Sequence, residues 1–153
     1  MGAADHLEGR CHCGAVHVVL ELSRRAEEIE LRACQCSFCR RHGARALADI
    51  EGRALITVRK DSDLNRYRFG KRTADFLICA GCGVYIAAVT DGKVATVNVA
   101  GLDIPAFRER GAMAVDYSGE STDERLERRR ARWMPVEIRI GATLAAREKE
   151  ACG

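Results

Sequence analysis

Seven of the eight cysteines in this chain of 153 residues stand in three tight groups: Cys11 and Cys13, then Cys34, Cys36 and Cys39, then Cys79 and Cys82. Cys152 stands apart near the end. No other feature restricts the fold as strongly, because thiols that share a partner must meet in space. The N-terminus, MGAADHLEGR, lacks the basic start and apolar stretch of a secretory signal, which makes the cytoplasm the expected address. Thiols stay reduced there, so a metal is the stronger reading and disulfides the weaker.

Each group has its own chemistry. In Cys79-Ala-Gly-Cys82-Gly83 two thiols bend round one ion while the glycines accept unusual backbone angles. Cys11 and Cys13 sit two apart, so on an extended chain both sulfurs point the same way. The two pairs together make a four-cysteine site that clips the first strand to a central hairpin. A redox dithiol is the other reading of C-x-x-C, and four thiolates would also serve iron. In CQCSFCRRHG, residues 34–43, Cys34, Cys36 and Cys39 offer three ligands from one loop. Three protein ligands with one position left for water or substrate is the pattern of catalytic zinc. A thiol substrate suits such a soft site. The alternative is a closed structural site completed by Cys152, His42 or a distant histidine. Arg40 and Arg41 are candidates to offset thiolate charge or to hold a substrate carboxylate, as are Arg32 and Arg45 nearby. His12 is expected to point away from its flanking cysteines, and Trp133 to be a packing residue.

The rest of the chain reads as mainly β. AVHVVLEL (15–22) places Val16, Val18, Leu20 and Leu22 on one face. Further strands are expected at 29–33, 54–58, 66–69, 73–78, 84–90 and 93–99, with Asp91-Gly92 as a tight turn between the last two. One or two helical turns are expected at 103–111 and a strand at 113–117. Ser121 and Glu124 have capping-box spacing before ERLERRRARW, a short helix whose Arg128–Arg130 run reads as a solvated face. The expected architecture is one zinc-stapled domain over 1–153, built of short antiparallel strands and hairpins with one or two short C-terminal helices. No apolar run is long enough to span a bilayer. The formal charge of +3 counts every cysteine as neutral; seven thiolates on two Zn²⁺ bring it to zero, which removes the electrostatic case for nucleic acid.

Taken in order, GRCHCGAV (9–16), CQCSFCRRHG (34–43), FLICAGCGVYIAAV (76–89) and NVAGLD (98–103) resemble the glutathione-dependent formaldehyde-activating enzyme family, which also includes centromere protein V. The likeness covers residues 9–103 and leaves 104–153 as an extension. It implies a mostly β domain with two zinc ions: a structural one on Cys11, Cys13, Cys79 and Cys82, and a catalytic one on Cys34, Cys36 and Cys39. It further implies a carbon–sulfur lyase or synthase that joins glutathione and formaldehyde into S-hydroxymethylglutathione. The competing function is a protein-interaction module in which both zinc ions are structural. A thiol redox protein or metal sensor is a third.

Overall fold

Val16, Val18, Leu20 and Leu22 are all fully buried, as their two-residue period requires, and the strand they form organises one half of the structure. The computed structural model describes residues 4–141. In chain order the elements are β1 (Asp5–Arg10), β2 (Val16–Leu22), β3 (Arg32–Cys34), α1 (Ser37–His42), β4 (Ala46–Leu47), β5 (Arg53–Val58), β6 (Leu64–Tyr67), β7 (Asp75–Cys79), β8 (Tyr85–Thr90), β9 (Val94–Asn98), α2 (Val99–Leu102), β10 (Met113–Val115), α3 (Thr122–Arg132) and β11 (Met134–Ile140).

The strands form one continuous hydrogen-bonded sheet in the order β1-β2-β5-β11-β9-β4-β3-β10, with β8, β7 and β6 branching from β9. Most pairings are antiparallel, as expected, but β11 runs parallel to β5 and β10 runs parallel to β3. Asp91 and Gly92 make the expected turn between β8 and β9, both with positive φ (58° and 67°); the Lys93 N–H donates to the Thr90 carbonyl across it, and the ladder resumes with Thr90 opposite Val94. All six residues of β8 are buried, which accounts for its unbroken apolar sequence: it is flanked by β7 and β9 and covered on both faces.

Strands β1, β4 and β11 lie outside the sequence expectations, and the stretch 103–111 holds a single 3₁₀ turn at Pro105–Phe107. The capping box at α3 forms as its spacing predicts: Ser121 Oγ accepts from the Glu124 N–H at 3.1 Å, and Glu124 Oε1 accepts from the Ser121 N–H at 2.8 Å. No described helix is long and apolar enough to cross a membrane.

One close approach fixes β1 against the segment that follows β9. A Cβ on Gly9 would lie 2.7 Å from both Ile104 Cγ1 and the Leu102 carbonyl oxygen, and 2.8 Å from Leu102 Cβ. The backbone oxygen cannot swing aside as a side chain would. Gly9→Ala is therefore expected to destabilise the fold by about 1–3 kcal/mol, the usual cost of forcing atoms into a packed interior. The check is a lower denaturant midpoint at unchanged slope; an unaltered midpoint would mean that the contact yields.

Candidate metal centres and substrate cavity

Two loops bring the outer cysteine pairs together. After β1 the chain turns through Cys11 to Gly14, whose φ of 84° is open to glycine, and the Gly14 N–H donates to the Cys11 carbonyl. After β7 it turns through Cys79 to Gly83, at φ 80°, and the Gly83 N–H donates to the Cys79 carbonyl. Cys13 Sγ lies 3.8 Å from Cys11 Sγ and 3.5 Å from Cys79 Sγ, and all four sulfurs, Cys82 included, fall within 4.8 Å of one another. A tetrahedron of thiolates about 2.3 Å from zinc has edges of about 3.8 Å. Donor type and spacing thus fit a zinc ion. Cys11 and Cys79 are each 1% exposed, while Cys13 reaches the surface. Burial pushes the Cys11 and Cys79 thiols up. Burial acts on Cys82 too, but hydrogen bonds from the backbone N–H groups of Cys13 and Val84 and from the Cys79 and Cys11 thiols together bring Cys82 to about 7.

The middle triplet is set by a strand end and a helix start. Cys34 closes β3 in parallel register with Val115 of β10. Cys36 is the N-cap of α1, and its Sγ accepts from the Cys39 N–H at 3.4 Å. Gly43, left-handed at φ 56°, ends the helix after barely two turns. The three sulfurs lie within 4.8 Å of one another, a second cluster able to hold zinc. Donation from the Cys34 and Cys39 thiols, in that order, draws Cys36 far down, and donation by Cys39 to Cys34 and then to Cys36 pushes Cys39 up. His42 is not among these donors; its exposed ring lies tilted against Phe38, centroids 4.5 Å apart. Cys152, the other closing ligand considered above, lies outside the described residues.

All three cysteines open onto a cavity of about 850 Å³, within the range of small-molecule sites. Beside them Phe69, Phe76 and the buried Tyr85 form its aromatic wall, braced by Phe38, which meets Phe76 and Tyr85 edge-on at 4.9 and 5.0 Å. Burial, then the charge of Cys39, raises the Tyr85 hydroxyl well above its ordinary value. Arg40 and Arg41 are exposed on α1, donating to the carbonyls of Gln35 and Ser37 at 2.9 Å, and neither lines the cavity. Arg45 holds the carbonyls of Phe107 and Arg110. Arg32 does face the cavity and donates to the Tyr117 hydroxyl at 3.1 Å.

A family model described as glutathione-dependent formaldehyde-activating enzyme matches residues 6–115, which include all seven clustered cysteines. The chain belongs to this family. A crystal structure of a Rhodobacter sphaeroides protein is also similar: 37% identical, covering 71% of this chain and 98% of that one, with a TM-score of 0.54. No curated protein matches the chain.

One wall of the cavity comes from beyond the residues that match the family. Arg125, Arg128, Arg129 and Arg132 recur along one face of α3 and all line the cavity. This corrects the reading of Arg128–Arg130 as a solvated face for two of the three: Arg129 is only 5% exposed and Arg128 is half-buried, while Arg130 is exposed as expected. Its guanidinium lies 4.7 Å above the Trp133 ring, and its Nη1 donates to Thr73 O, Thr73 Oγ1 and Thr90 Oγ1. Trp133 packs against Ala74 and Ala88, as a packing residue should, and lines the cavity as well. Arg128 grips Glu120 through two bonds of 2.7 and 3.0 Å, which hold that carboxyl below its ordinary range, and stacks 3.5 Å over Tyr117. The sequence did carry a signal for this wall: arginines at i, i+3, i+4 and i+7 from Arg125 make a helical stripe.

Proposed function

We propose that the chain is a zinc-dependent carbon–sulfur lyase or synthase that forms or cleaves a thiol–aldehyde adduct, with S-(hydroxymethyl)glutathione, from glutathione and formaldehyde, as its product. The observation that carries this reading is the placement of Cys34, Cys36 and Cys39 on the cavity wall. Cysteines that served only to staple the fold would have no need of one. In this reading they hold the catalytic ion, and Cys11, Cys13, Cys79 and Cys82 hold a structural one. Bound zinc supplies thiolate formation and Lewis acidity at neutral pH.

The chain's own residues do the positioning. The triplet places the thiol sulfur at one end of the cavity, and Tyr85 and Phe76 wall one side of the carbon beside it. Confinement of the two reactants lowers the entropic cost of their meeting. Sulfur adds to the carbonyl carbon, the carbon–oxygen double bond becomes single, and the thiol proton reaches the new hydroxyl oxygen through water. Arg40 and Arg41, on the helix that carries Cys39, set positive charge against the thiolates. Seven clustered cysteines with free thiols suit a reducing compartment such as the cytoplasm.

The test is to count zinc per chain and then measure exchange between formaldehyde and glutathione. Exchange is expected to rise in proportion to the concentration of zinc-loaded protein, above the spontaneous reaction. A rate that stays at the spontaneous level with both sites filled overturns the proposal.

A further inference from the structure

Arg129 is a buried cation without a counter-ion. It is 5% exposed, and among the described residues no carboxylate comes within ion-pair distance of it. Its Nη1 is taken by threonine oxygens, its Nε has no hydrogen-bond partner, and its Nη2 donates to no described residue. Arginines are rarely buried this far unless paired, because an uncompensated charge in the interior is costly. Burial, then the charges of Arg128 and Arg125, bring Arg129 down to about 10, which still leaves it charged at neutral pH.

Glu120 and the Cys34 thiolate favour this charge from a distance, but neither forms an ion pair or hydrogen bond with it. Arg125 Nε also lacks a hydrogen-bond partner and stands 3.8 Å from Glu120 Oε1. Glu120 is already gripped by Arg128. One carboxylate thus serves two guanidiniums and leaves Arg129 over. Other acids line the cavity, but Asp49 is held by the Ser23 N–H and hydroxyl, Asp116 accepts from the Ser118 N–H, and none of Glu28, Glu30, Glu51 and Asp116 forms an ion pair with these arginines. The missing partner is an anion that enters the cavity.

We propose that Arg129, with Arg125 beside it, forms an anion subsite that takes a carboxylate of the thiol substrate while the sulfur lies at Cys34, Cys36 and Cys39. The same cavity reaches both ends, and between them its wall is apolar, with Phe76, Ala88 and Trp133. The substrate class is therefore an acidic thiol whose carboxylate is separated from its sulfur by a stretch that tolerates apolar surroundings. A planar guanidinium held by threonines and a tryptophan face is pre-oriented for a carboxylate. The subsite rests on the proposed function in placing the thiol at the triplet. It goes beyond it in assigning specificity to α3, outside the residues that match the family.

The test measures binding without formaldehyde. ω-Mercaptocarboxylates of increasing chain length, and their amides, are titrated calorimetrically into the zinc-loaded protein. At the best-fitting length the acid is expected to bind at least about tenfold more tightly than the amide, the order for a charge-assisted bond in a buried site. Arg129→Gln should bring that ratio to unity without changing the amide's affinity. Arg125→Gln, at a less buried position, should reduce it, and it carries the test if Arg129→Gln does not fold. Equal binding of acid and amide at every length overturns the subsite, as does a ratio that survives both substitutions. A retained acid preference in a protein that fails to accelerate exchange would sink the catalytic reading alone; exchange without acid preference would sink the subsite alone.

Discussion

Cys79→Ser is expected to leave the chain unable to hold its fold. Cys79 is 1% exposed, closes β7, and has its sulfur 3.5 Å from that of Cys13, across sixty-six positions of chain. A zinc ion held there would join the β1–β2 loop to the β7–β8 loop. Structural zinc contributes about 10–16 kcal/mol of apparent binding energy, comparable to the whole stability of a domain of this size, about 5–15 kcal/mol. Serine is a poor replacement ligand, and its hydroxyl would be buried among thiolates. The substitution should lower the zinc count and abolish a cooperative thermal transition, or shift it down by tens of degrees. A variant with fewer ions and an unchanged transition would show that this cluster is no staple.

Cys36→Ser should do the opposite: silence the chemistry and spare the fold. Cys36 caps α1 by accepting the Cys39 N–H, and serine is among the best residues for that task, so the helix start survives. What is lost is the thiolate. Replacing even an outer partner of a metal ligand commonly costs about 10–100-fold, so removal of a ligand should reduce exchange at least about a hundredfold. Zinc should fall by one ion per chain while the melting temperature moves little. Wild-type exchange in this variant would remove the triplet from the mechanism. The two serine variants form a matched pair: the same atom is exchanged, one at the joint of two loops and one on a cavity wall.

The cysteine clusters were legible because ligand spacing is local: Cys11 with Cys13, Cys34 with Cys36 and Cys39, and Cys79 with Cys82 are each set by one turn of backbone. Strand β8 and its hairpin were legible for the same reason, through a two-residue turn signal and a run of apolar residues. Strand β11 was not, because Pro135 near its start argues against a strand between two neighbours; it is tolerated at the end, opposite Val94. The parallel pairings β5–β11 and β3–β10 join segments far apart in sequence, and no local pattern encodes such partners. Arg129 was misread for a related reason: a guanidinium in a charged run looks solvated until the threonines of two distant segments, Thr73 and Thr90, close around it.

The stretch that carries the arginines leaves the sheet at β10 and rejoins it at β11. Both strands are pinned by parallel partners that belong to the cysteine-bearing body, so entry and exit are fixed whatever lies between. A segment slung in this way is an exchangeable cassette. New lengths or charges between residues 116 and 133 would retune which molecules are admitted, while the cysteine clusters go on unaltered.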